Sequence, residues 1–185
     1  MRPFLFFAAS AVALMTACNN HPDSTNSAAP AADTLSAAPA KDTLTYAYKA
    51  TYSSDITVPS HPEYAQKVLT VWKMFESNRI EAMRPYWADS VIYHDASGLN
   101  FYGPADALLA IARKDIEGLD SLRFDISTWE SAHSNDKNED WIRIWAAERR
   151  YHKKGKADTT LIQENWLMKE GKITYFDQYK AKPAK

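Results

Sequence analysis

Asp95 closes the stretch ADSVIYHDASG, residues 88 to 98, where an alternating apolar segment runs into Gly98. A carboxylate at the end of such a strand, walled by aromatic side chains, can have a raised pKa and move a proton alpha to a carbonyl. It can equally be a polar rim, or a turn residue accepting backbone hydrogen bonds. Strand alternation sends His94 to the opposite face from Asp95, so the two neighbours do not form a dyad. Other polar groups that could share a site are Glu148, Glu164 and Asp177, with Trp72, Trp166 and Tyr175 as aromatic donors. His61, His133 and His152 fall at expected ends or turns, and neither His-x-His nor Glu-x-x-His spacing occurs, so no metal is expected. The five glycines all look like turn residues and form no phosphate loop, and no cofactor is expected.

These residues need elements to hold them, and the chain has an ordered sequence of such signals. Its 185 residues carry a formal net charge of −1, which gives no general field for nucleic acid or an anionic membrane. The basic run Arg149 to Lys154 reads as a solvated strand end. Arg2, then the apolar Phe4 to Leu14, then Met15-Thr16-Ala17-Cys18 form a charged, a greasy and a small-residue zone in turn. The apolar zone is too short for a permanent span. The pattern resembles a bacterial lipoprotein signal (residues 1–17). That resemblance implies cleavage before Cys18, the only cysteine, and palmitate-type acylation of it, placing the protein in the cell envelope on a lipid anchor. Several acyl chains anchor stably where one does not. Residues 18–42 are rich in Ala, Ser, Thr, Pro and Asp and cannot bury enough surface to order. They read as a tether holding the domain roughly 25–30 Å from the lipid. Residues 43–59 favour extended structure, as an arm or an edge strand.

A single domain is expected over residues 60–181. Ser60 with Glu63 forms a capping-box pattern before Tyr64, Val68, Trp72 and Phe75 at helical spacing. Asn78 with Glu81 opens a short second helix that Pro85 limits. Gly103-Pro104 opens a third, with Leu108, Ile111 and Ala112 inward. The period then changes to two. Strands are expected at Leu122–His133, Asp140–Lys153, Asp158–Lys169 and Lys172–Lys180, joined by short turns into an antiparallel meander, with earlier strands at Ser90–Asp95 and Asn100–Tyr102. The fold class is α+β: three N-terminal helices packed on a curved antiparallel sheet, a cone-shaped α+β barrel.

In Asp140–Lys153 the face of Ile142, Ile144, Ala146 and Glu148 is assigned to the core, because the opposite face carries Arg143 and Arg149. That opposite face, with Trp141 and Trp145, is a surface for a second subunit, and a homodimer is expected. Inward faces containing Glu164, Trp166 and Met168, and Ile173, Tyr175 and Asp177, would line the cone.

Tyr86-Trp87-Ala88-Asp89-Ser90-Val91, Phe101-Tyr102-Gly103-Pro104-Ala105, Glu164-Asn165-Trp166 and Gly171-Lys172-Ile173, in this order, resemble the nuclear transport factor 2-like superfamily in its SnoaL-like branch. The resemblance implies one of many activities: isomerases, dehydratases, cyclases, epoxide hydrolases and binding modules share the fold. Asp95 lies six residues after Asp89, the spacing of the catalytic aspartate in ketosteroid isomerases of that superfamily. Their first-helix tyrosine, an oxyanion donor, falls on Val71 here, beside Trp72. Three functions therefore follow. One is an envelope lipoprotein binding a small apolar or amphipathic molecule at Trp72, Asp95, Glu148, Glu164, Trp166, Tyr175 and Asp177. Another is an acid–base enzyme with Asp95 as base and Tyr175 or Trp72 as donor. The third is a dimeric interaction module with a filled cone.

Overall fold

The structure is a computed structural model and describes residues 46–153, 155 and 157–184. The signal segment, Cys18 and the tether lie outside the described residues. Seven strands form one sheet in the order β1-β4-β5-β6-β7-β2-β3. They are β1 (Ile56–Thr57), β2 (Trp87–Asp95), β3 (Asn100–Pro104), β4 (Leu119–Ser134), β5 (Glu139–His152), β6 (Asp158–Lys169) and β7 (Lys172–Ala181). The last four pair antiparallel in chain order, because each break is too short for anything but a turn. β2 joins β7 in parallel and β3 folds back on β2. The fold is α+β, with a curved, mostly antiparallel sheet that does not close into a barrel. β1 and β3 are its edges.

Two α-helices, α1 (Glu63–Glu76) and α2 (Ala105–Ile116), pack on the sheet, and the second expected helix is a 3-10 helix over Glu81–Tyr86. Pro85 explains the difference: it lacks the N–H that an α-helical turn needs. Neither expected cap forms. Pro62 occupies the N-cap of α1 without a side-chain bond, while His61 takes the Glu63 carboxylate at 3.1 Å. Asn78 instead ends α1. It adopts φ 53°, with Asn78 N–H on the Phe75 carbonyl (3.0 Å) and Arg79 N–H on that of Met74 (2.8 Å). This crossed pair is the usual left-handed helix stop.

The inner face of β5 carries Ile142, Ile144, Ala146 and Glu148, all buried. With Ile162, Trp166, Met168 and Ile173 they meet Val68, Val71 and Trp72 of α1 and Leu108 and Leu109 of α2. Ile111 lies at the edge of this contact, 37% exposed. The basic run of residues 149 to 154 is not simply solvated. Arg149 pairs with Asp125 (2.6 Å) and Arg150 turns toward α2, bonding Asp115 (2.6 Å).

Candidate functional site

Alternation along β6 puts Glu164, Trp166 and Met168 on the inner face, each opposite a buried residue of β5 or β7. β7 does not alternate throughout. Met168 pairs with Ile173, but the next residue of β6, Leu167, pairs with Tyr175, so Thr174 is an extra residue. This bulge reverses the parity of everything after it. Ile173 is inward and fully buried. Beyond the bulge Phe176, Gln178 and Lys180 face in, and Tyr175 and Asp177 face out. The expectation that Tyr175 and Asp177 line the cone is thereby corrected. Asp177 accepts hydrogen bonds from Asn165 (2.6 Å) and Tyr175 (3.0 Å) on the outer face, where the His94 ring also meets Tyr175 edge-on. Burial, then Asp177, raise the Tyr175 hydroxyl pKa, which keeps it protonated.

Between the helices and the inner face lies a pouch of about 180 Å³. Its walls are mostly apolar, with Trp72 and Phe75 from α1, Leu108 and Leu109 from α2, and Trp87, Trp166 and Phe176 from the sheet. Phe176 stacks between Tyr93 (4.2 Å) and Trp166 (4.5 Å). Glu164 sits in this wall, 5% exposed. Trp166 Nε1 donates to one of its oxygens at 2.9 Å and Gln178 Nε2 to the other at 2.5 Å. Burial pushes its carboxyl up to about 7, against those two bonds and a weaker one from the Trp72 side chain, and the nearby Glu148 carboxylate adds to the rise. Glu148 is itself buried, and Arg150 answers it at 2.9 Å while also holding Asp115. Burial works against the Arg150 charge, but the two acids outweigh it and hold its pKa above the ordinary value. Trp87 contributes an indole N–H that is buried and has no partner among the described residues.

Asp95 also lines the pouch, but its carboxylate is occupied locally. One oxygen accepts the Ser97 N–H (2.8 Å), the Leu99 N–H (3.1 Å) and the Ser97 hydroxyl, and Tyr93 donates to the other at 3.3 Å. Burial would raise its pKa, yet these bonds outweigh burial and lower it. That is the turn-acceptor reading, and it corrects the expectation of a raised pKa. A carboxylate so stabilised is a weak base. The ionisable centre is Glu164, with Trp72, Trp166 and Glu148 around it as the sequence grouped them. Tyr93, Asp115, Arg150, Phe176 and Gln178 were not foreseen. Alternation from Asp95 would have found Tyr93, whereas Phe176 and Gln178 are hidden by the bulge.

On the outer face a second, more open groove of about 740 Å³ is bounded by Tyr52 and Ser53 of the N-terminal segment and by Trp141, Arg143, Asn165 and Tyr175. Among the described residues no group of three or more His, Cys, Asp or Glu side chains converges as a metal site, and no helix is long and apolar enough to cross a membrane.

No family model matches the chain, and no curated protein does. Solved structures do. An epoxide hydrolase-like protein of M. tuberculosis aligns with a TM-score of 0.54 at 11% identity, covering 64% of this chain and 83% of that one. A protein of Shewanella denitrificans assigned as a SnoaL-like polyketide cyclase aligns at 0.54 and 11%, covering 65% and 91%. One of Streptomyces avermitilis, assigned as a dehydratase of the NTF2-like family, aligns at 0.55 and 8%, covering 65% and 96%. The domain has the NTF2-like fold, in the form seen in SnoaL-like proteins.

Proposed function

We propose that the domain binds a small, largely apolar molecule in the pouch, with Glu164 as its polar anchor. The observation that carries this reading is a buried, titratable carboxyl set in an aromatic and aliphatic wall around open space. A few convergent polar groups in an apolar cavity are the usual profile of a small-molecule site. A volume of about 180 Å³ accommodates roughly one aromatic ring and its substituents. Glu164 offers the ligand a hydrogen-bond acceptor. Native mass spectrometry of protein from its own host tests this: a co-purifying small molecule that is lost on Trp166→Ala supports it. A ligand-free protein that also binds no single-ring compound in calorimetry rejects it.

A second reading is acid–base catalysis of the isomerase, dehydratase or hydrolase type. It is favoured by one observation, the Glu164 carboxyl at about 7, a value suited to giving and taking a proton at neutral pH. Glu164 then takes the role first considered for Asp95. Turnover that survives Asp95→Asn and disappears in Glu164→Gln is the expected signature.

We place the domain in the bacterial cell envelope, on lipid attached to Cys18, and read it as a homodimer through the outer sheet face. Arg143 and Arg149 are already neutralised there by Glu130 and Asp125, which lowers the cost of covering that face. Loss of membrane partition in Cys18→Ser tests the anchor, and light scattering of Trp141→Glu against the parent tests the dimer.

A further inference from the structure

Within that pouch the charges do not balance. Four acids line it, Asp95, Asp115, Glu148 and Glu164, against two bases, Arg150 and Lys180. Arg150 directs its donors to Asp115 and Glu148, and the bonds recorded at Asp95 come from its own turn and from Tyr93. Glu164 has no cationic partner among the described residues, since its donors, Trp166, Gln178 and Trp72, are all neutral. A carboxylate has about four lone-pair directions, so Glu164 keeps room for a further donor. A buried carboxylate without a counter-charge is costly, and the cost falls when a cation reaches it.

We propose that the pouch takes a small organic cation, an alkylammonium of about one ring's size, with its N–H groups on Glu164 and its hydrocarbon against Trp72, Phe75, Trp87 and Leu108. This inference rests on the pouch being a ligand site. The cation binds the ionised form of Glu164, so its affinity rises with pH as burial yields the proton at about 7. The other titratable groups facing the space do not reproduce that dependence. Asp95 is held below its ordinary range, Tyr93 is held above its own by burial, and Asp115 and Glu148 are paired with Arg150. Lys180 lies at the exposed end of the lining.

The test is calorimetric titration of the full chain with benzylamine, benzyl alcohol and benzoate at pH 6 and pH 8, repeated with Glu164→Gln. The expected result is benzylamine bound at least tenfold tighter than benzyl alcohol at pH 8, with the gap narrowing at pH 6 and benzoate weakest. Glu164→Gln removes the preference for benzylamine over benzyl alcohol. If that variant does not fold, the pH comparison on the parent decides. Benzyl alcohol or benzoate binding as tightly as benzylamine at pH 8 overturns the cation and leaves the pouch reading intact. Binding of none of the three overturns both.

Discussion

The inner and outer faces of β6 and β7 each carry a carboxylate held by hydrogen bonds from neutral groups. Glu164 takes Trp166 and Gln178, and Asp177 takes Asn165 and Tyr175. Asn165 is also the immediate chain neighbour of Glu164. The donors on both are neutral, and the surroundings are opposite. Glu164 is enclosed by Trp72, Trp87 and Trp166, whereas Asp177 borders an open groove. Withdrawal of water, rather than a lack of partners, makes the inner carboxyl titrate near neutrality. A ligand entering the pouch meets an acid already stripped of solvent, while one on the outer face must displace water from it.

The strongest way to break this contrast is Trp166→Ala. It removes a buried indole that stacks on Phe176 and bonds Glu164. We expect a stability loss of about 3–5 kcal/mol in denaturant unfolding, with the Glu164 pKa falling as water enters. Next is Arg150→Met, which leaves Glu148 buried and unanswered. The expected loss is roughly 3 kcal/mol in denaturant unfolding. The third effect comes from pH alone. The Glu164 pKa is raised on folding, so its favourable contribution is complete below the unfolded-state value and disappears as pH rises through about 7. Stability should fall by about 2–3 kcal/mol between pH 5 and pH 8, and Glu164→Gln should flatten that slope in thermal melts. The smallest effect is at the rim. Asp95→Asn should cost about 1 kcal/mol through its turn and leave pouch affinity unchanged. Because the Asp95 pKa is lowered on folding, its contribution is present above the unfolded-state value and is lost only as pH falls through the folded one. A large affinity loss in Asp95→Asn would return the centre of the site to the rim.

Much of this arrangement was legible in the sequence because period and chemistry agreed. The four long strands and their turns followed from alternation bounded by turn residues, and Ile144 against Arg143 identified the buried face of β5. Glu148, Glu164 and Trp166 fall on the inner faces that alternation assigned, and with Trp72 of α1 they line one pouch. The errors arose where one residue changes the geometry. Pro85 turns an expected α-helix into a 3-10 helix, and Asn78 stops α1 rather than opening the next helix. At Asp95 the resemblance implied a base beside the turn-acceptor reading, and Ser97 and Leu99 supply donors that only a folded turn brings together. A carboxylate's pKa depends on such contacts and on solvent access, neither of which spacing contains.

The extra residue at Thr174 has a consequence beyond this one chain. Were Thr174 instead paired in the ladder as an ordinary strand residue, everything after it would turn over, bringing Tyr175 and Asp177 indoors and expelling Phe176 and Gln178. The lining would then change from aromatic and amide to phenol and acid without a single substitution. Among proteins sharing this architecture, whether such a residue in the last strand is bulged out or paired therefore decides the pocket chemistry, and alignments that ignore the bulge will compare walls that never faced the same space.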